Sequence, residues 1–244
     1  MPHRFPHAHS PYLVPFTGGF RVAKAPTTPP RGRGAKEPNE QALTRSIAAM
    51  RKLQSRLLAN NRRSLLVVFQ ALDAAGKDGT IKAVMSGINP AGCEVHAFKK
   101  PSDDELDHDF LWRVYQRVPS RGRIGIFNRS HYEEVLVVKV HPEILQSQRL
   151  PGTPPLTALW KERYESIRTF EKHLARNGTS IVKFFLHVSK AEQKNRLLAR
   201  IALALGMPAP TVWETQPLRR AGAEGYPVIA PDEDSRKNYA AIYD

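Results

Sequence analysis

The chain has 244 residues, 41% of them hydrophobic, and a formal net charge of +14. This length suits one α/β domain with a sizeable core, or one domain and an arm; with no apolar run of about 18 residues and no apolar leader in "MPHRFPHAHSPYLVPF", neither a membrane span nor an export signal is expected. The single cysteine, Cys93, excludes disulfide staples within the chain and fits a reducing cytoplasm, while the charge implies a polyanionic partner: nucleic acid, an anionic membrane surface or a polyphosphate.

The excess charge is concentrated early, with 12 Lys or Arg against two Glu in residues 1–63. Residues 1–40 are rich in Pro, Gly, His and basic residues and read as an extended basic arm; residues 41–244 are expected to form the folded domain. Leu43, Ile47, Met50, Leu53 and Leu57 recur at helical spacing, predicting an amphipathic helix that ends near "NNRR". "SLLVVFQ" is a β-branched, apolar run suited to a buried parallel strand. A glycine-containing loop follows, then "TIKAVMSGI" as a helix, stopped by "NPAGC". "EVHAFKK" predicts a second strand and "DDELDHDFLWRVYQRV" a helix with acidic residues in its first turn, where they complement the dipole. "GRIGIFNRS" predicts a third strand with its outgoing loop, and "LTALWKERYESIRTFEKHLARNG" a long helix closed by Gly178. "SIVKFFLHVS" and "KAEQKNRLLARIALAL" predict a fourth strand and its helix, after which the composition turns Ala- and Pro-rich, with "YPVIA" as a candidate last strand. Alternation of this kind implies a parallel sheet with helices on both faces, whose ligands bind at the carboxyl ends of the strands.

The stretch "QALDAAGKDGTIK", Gln70–Lys82, almost spells a phosphate-binding loop, G-x-x-x-x-G-K-[ST]. Ala71 replaces the first Gly and Asp78 the Ser or Thr. Its place between a strand and a helix is where such a loop works, because backbone N–H groups and the helix N-terminus then face the phosphates. Phosphate-binding candidates are therefore Ala74, Ala75, Gly76, Gly79 and Thr80, with Lys77 as a point charge bridging phosphates. Asp73 and Asp78 are hard oxygen donors and the candidate metal ligands. Asn128 and Arg129 end the third strand, where Arg129 would clamp a transferring phosphoryl group. Lys99 and Lys100 end the second strand on the same side. Arg196 and Arg200 lie one turn apart on the last helix, as lid arginines or as plain basic surface. Glu133 and Glu134 either contact a nucleotide or cap a helix. Arg121 and Arg123 belong to the opposite end of the strands and to the surface; His108, His131 and His141 have no metal-ligand spacing and suit hydrogen-bonding roles. Cys93 reads as a buried, inert thiol.

"LDAAGKDGTIKAVMSGINPAG", "FKKPS", "HDFLWRVYQRVPSRGRIGIFNRSHYEEVLVVKVH" and "KFFLHVSKAEQKNRLLARI" resemble the polyphosphate kinase 2 family, in order and spacing, over about residues 12–201. The resemblance implies a three-layer α/β/α P-loop kinase-like parallel sheet with a helical lid, the lid falling within about residues 140–205. It implies transfer of a phosphoryl group between inorganic polyphosphate and a nucleotide with Mg²⁺, Mn²⁺ being an alternative ion. The Asn in "FNRSHYE" is similar to the branch acting on AMP and ADP, with GMP and GDP as further candidates. It assigns phosphate-loop roles to Asp73, Gly76, Lys77 and Asp78, the second motif to Asn128 and Arg129, and a lid contribution to Arg196 and Arg200. Ala71 departs from the family pattern, and so does the tail 202–244, where the family's Trp-Lys-Phe motif is not found. Two other functions share the loop: an ATP-dependent nucleotide kinase, and a catalytically impaired polyanion-binding homologue. A homo-oligomer built on the helix 41–60 is a further expectation; nucleic acid and membrane partners are not.

Overall fold

The computed structural model describes residues 10, 12–14, 18–29, 36–152 and 154–204. Helix α1 (Lys36–Asn60) begins five residues ahead of the expected boundary between arm and domain. Strand β1 (Ser64–Ala71) runs into the phosphate loop and helix α2 (Lys77–Met85). Strand β2 (Cys93–Ala97) precedes two single-turn helices, α3 (Asp103–Leu106) and α4 (Trp112–Tyr115). Strand β3 (Ile124–Asn128) leads through a short turn to α5 (Glu133–Val140). Helix α6 (Leu156–Arg176), strand β4 (Thr179–Leu186) and helix α7 (Lys190–Ala204) complete the described chain.

The four strands form one parallel sheet in the order β2-β3-β1-β4. β1 pairs with β3 from Leu65 opposite Ile124 to Phe69 opposite Asn128, and with β4 along its whole length. This register brings the phosphate loop and the Asn128 loop out side by side. Alternate residues of β1 feed two cores, as a strand covered on both faces must. Leu66 and Val68 pack with Phe98, Val114, Phe127, Phe170 and Leu174 on the face covered by α4 and α6. Phe69 packs with Ile81 and Ile126 on the face covered by α2. Helix α1 lies outside α2, fastened where the buried Gln54 amide donates to Asn89 O and accepts from Asn89 N. The result is helix, sheet, helix: the three-layer parallel α/β architecture expected.

Two local expectations are corrected. The helix expected over residues 103–118 is two separate turns. Ser102 and Glu105 cap the first reciprocally, and Asp109 Oδ1 then accepts from Leu111 N, a local turn that competes with helix continuation. Helix α2 starts at Lys77 rather than at Thr80, because left-handed Gly76 (φ 90°) ends the loop earlier. Helix α5 adds an element to which the sequence pattern points weakly, since "VLVVKV" carries no helical periodicity. Gly178 does follow the end of α6, at φ 95°. The candidate strand "YPVIA" and nearly all of the tail lie outside the described residues. No helix among the described residues is long and apolar enough to cross a membrane.

Candidate active site

The loop after β1 is shaped by two left-handed residues, Ala74 (φ 60°) and Gly76 (φ 90°). Ala71 lies at the end of β1 and outside the positive-φ set, so the substitution that breaks the motif imposes no backbone strain there. From the other side α7 grips the loop. Gln193 Nε2 donates to Asp73 O at 2.8 Å, and Arg196 Nη1 donates to Ala75 O at 2.9 Å. Arg196 Nε is paired with Glu192 one turn earlier. In this state Arg196 holds the loop's carbonyls rather than lining the cavity.

Lys77 sits at the first helical position behind Gly76. Burial, and next the Arg129 charge, push its amine below the usual lysine range against the pull of Asp73, Glu133 and Asp78. Two neighbouring cations, one of them partly desolvated, make a place where an anion is stabilised. Asp73 and Asp78 are both exposed. Asp73 Oδ1 accepts from Arg129 Nη2 at 3.3 Å, and Asp78 Oδ1 accepts from Asn128 Nδ2. Arg129 also reaches Glu133 at 3.3 Å, and Glu133 accepts from Gln70 Nε2 at 3.2 Å. Arg129 itself has φ 64°, a backbone conformation that costs a non-glycine residue about 1–2 kcal/mol.

These groups open on a cavity of about 660 Å³ at the carboxyl ends of the strands. Of the residues singled out from sequence, Asp73 through Asp78, Lys99, Lys100, Asn128, Arg129, Glu133, Glu134 and Arg200 line it. Gly79 and Thr80 do not: they lie within α2, and the Thr80 hydroxyl donates to Gly76 O at 3.0 Å. The lining also includes the apolar side chains of Phe98, Phe110, Val137, Val138 and Ile144. The size and mixed lining suit a molecule with both an anionic and a flat apolar part.

Glu134 is buried and paired with Arg163 of α6 at 2.7 Å; both also bind Gln148. Arg163 stands in the buried stripe Trp160, Ile167, Phe170, Leu174, so a charge in an apolar face was the signal available in the sequence. Gln193 and the cluster around Glu171 carried no such signal, because only the tertiary fold brings them to their partners. His131 is fully buried, His108 stacks on Trp112, and His141 pairs with Glu143. Arg123 makes a surface pair with Glu94. Cys93 is half-buried, and burial pushes its thiol above the usual range, as an inert residue requires.

A parallel sheet with a lysine-bearing phosphate loop, a second, arginine-bearing loop beside it and a helix bonded to the first is the architecture of a phosphate-loop kinase-like fold. Residues 33–205 match the family model described as polyphosphate kinase 2, and the chain belongs to that family. The chain is 56% identical over 168 residues to an ADP-polyphosphate phosphotransferase of Rhodopseudomonas palustris, covering 68% of this chain and 58% of the relative. It is 47% identical over 168 residues to an AMP/ADP-polyphosphate phosphotransferase of Meiothermus ruber, covering 69% and 59%. The chain therefore spans less than three-fifths of either relative. The crystal structure of polyphosphate kinase 2 from Arthrobacter aurescens superposes with a TM-score of 0.68 at 33% identity, over 92% of this chain and 73% of that one.

Proposed function

We propose that this protein transfers a phosphoryl group between inorganic polyphosphate and a nucleoside mono- or diphosphate, AMP or ADP, with Mg²⁺. What carries the reading is the convergence of Lys77, Arg129, Lys99, Lys100 and Arg200 on one cavity that apolar side chains also line, in a chain of this family. Phosphoryl transfer needs little covalent chemistry from the protein; positioning and electrostatics do the work. Loop N–H groups from Ala74 to Lys77 cradle the phosphate being transferred. Lys77 and Arg129 take up the charge that develops on its oxygens. Lys99, Lys100 and Arg200 hold the flanking phosphates of the chain, and the apolar lining side chains take the nucleobase. Arg196 and Arg200 belong to a lid within about residues 140–205.

The donor set fits a hard divalent ion. Asp73 on the loop and Asp78 in the first turn of α2 offer two carboxylates to one cavity, and Mg²⁺ is commonly held by one or two carboxylates plus substrate phosphates. Among the described residues no group of three or more His, Cys, Asp or Glu could hold a metal without substrate. Held by Asp73 and Asp78, the ion would neutralise phosphate charge; Asn128, bonded to Asp78, would fix the orientation of that carboxylate. Mn²⁺ meets the same donor requirements. A cytoplasmic setting and a homo-oligomer complete the proposal.

The test is product analysis with polyphosphate as sole donor and AMP, ADP, GMP or GDP as acceptor. Formation of ADP or ATP without any other nucleotide triphosphate supports the reading. Transfer from ATP alone would replace it with an ATP-dependent nucleotide kinase.

A further inference from the structure

Arg129 holds a strained backbone conformation, φ 64°, at the centre of the site. Such a conformation persists only where its surroundings over-determine it. On its N-terminal side the β3 ladder does so, continued by Arg129 N donating to Phe69 O at 3.1 Å. On its C-terminal side stand Ser130, whose hydroxyl accepts from Tyr132 N, and then His131 and Tyr132, both tied to a single carboxylate outside the cavity, that of Glu171 on α6. His131 Nε2 lies 3.3 Å from Glu171 Oε1, and the Tyr132 hydroxyl donates to the same oxygen at 2.8 Å. Lys183 of β4 donates to Glu171 Oε2 at 2.7 Å and to the Tyr132 hydroxyl at 2.8 Å, with its ammonium 5.3 Å from the Tyr132 ring. His131 is fully buried and packs edge-on against Phe170, so its ring cannot turn to water instead.

We infer that Glu171 is a positioning residue for the active site: through His131 and Tyr132 it holds the turn that aims the Arg129 guanidinium across the cavity at Asp73. Glu171 lines no part of the cavity, so it acts only through that turn. Without its carboxylate, the turn loses two hydrogen bonds, Lys183 loses its anion, and Arg129 relaxes toward negative φ, carrying the guanidinium away from the phosphate loop. The inference rests on the role given to Arg129 above.

The experiment is a double-mutant cycle between Glu171→Gln and Arg129→Ala, read in kcat and KM for transfer from polyphosphate to ADP, in calorimetric affinity for Mg·ADP, and in thermal melting. A misplacement of about 1 Å costs on the order of 100-fold in rate. Glu171→Gln is therefore expected to lower kcat/KM about 100-fold in the wild-type background and less than threefold in the Arg129→Ala background. The change in melting temperature should be alike in both. Equal fold-losses in the two backgrounds would overturn the inference, because they mean that Glu171 supports only the fold. If the wild-type chain transfers nothing from polyphosphate, the proposed reaction fails while the cycle is still decided by Mg·ADP affinity. Glu171→Ala serves as a second variant with no acceptor left.

Discussion

Replacing Arg163 by Met keeps the apolar stem and removes the guanidinium from the interior. Arg163 and Glu134 have 4% and 9% of their side chains exposed and are 2.7 Å apart, so water cannot take the place of either. Burial pushes the Arg163 guanidinium below its usual range, and the Glu134 charge pulls it back. The pair thus stands on mutual compensation, and removing one member of such a pair costs about 3–5 kcal/mol. The guanidinium also lies 5.1 Å from the Phe110 ring and 5.6 Å from Trp160, contacts worth about 0.5–1 kcal/mol each where exposed and more where desolvated. Arg163→Met is therefore expected to lose about 4 kcal/mol, a large share of a typical stability of about 5–15 kcal/mol. Urea unfolding at constant m value measures it. The double variant Arg163→Met/Glu134→Leu should recover most of that loss, because a well-packed apolar pair replaces a buried ion pair at little cost. A single-variant loss under about 1 kcal/mol, or a double-variant loss equal to the sum of the singles, would refute this account of the pair.

Lys77→Ala is expected to reduce transfer by at least about 100-fold, as for loss of a group that stabilises transition-state charge. It should leave the melting temperature unchanged or higher, since Lys77 is a cation partly desolvated next to another. Gly76→Ala meets φ 90° and would set a Cβ 3.2 Å from Arg196 Nη1; a loss of about 1–2 kcal/mol from the backbone and weakened nucleotide binding by calorimetry are expected. Burial alone would raise the Glu171 carboxyl, but hydrogen bonds from His131, Lys183 and Tyr132 and the Lys183 charge outweigh it and hold the group at about 2, against 4.5. Burial, then the Glu171 charge, in turn push the Tyr132 phenol well above its usual range. A depressed carboxylate contributes stability that is present above its unfolded value and lost as pH falls through the folded one. Between pH 4.5 and pH 3 the wild type should therefore lose about 2 kcal/mol that Glu171→Gln does not lose, measured by urea unfolding at the two pH values.

The sequence made the sheet and its ligand end legible because their signals are local. "SLLVVFQ" can bury itself only between two layers, and Gly76-Lys77 after such a strand reads as a phosphate loop. The same holds for Asn128 and Arg129, which end the third apolar run and, in register with β1, open beside that loop. What was hidden depends on tertiary partners. Positive φ falls on Ala74 and Gly76 and not on Ala71, where the motif would put a glycine, and Gln193 and Arg196 bind the loop's carbonyls from α7. Arg196 consequently grips the loop instead of facing the cavity, and Thr80 turns inward to Gly76 O. Glu134 resolves away from simple capping, into a buried pair with a residue 29 positions on. Glu171, on the edge of the buried stripe of α6, looks like an ordinary surface charge until the fold sets Lys183, His131 and Tyr132 around it.

The central claim is that polyphosphate itself is the phosphoryl donor or acceptor at this cavity. The direct measurement is nucleotide product analysis after incubating the protein with purified polyphosphate, Mg²⁺ and ADP, with AMP in a parallel arm and no other nucleotide present. A polyphosphate phosphotransferase yields ATP from ADP in an amount that polyphosphate limits, and Lys77→Ala yields none. Nucleotide pools left unchanged by polyphosphate, beside normal turnover with ATP as donor, would contradict it.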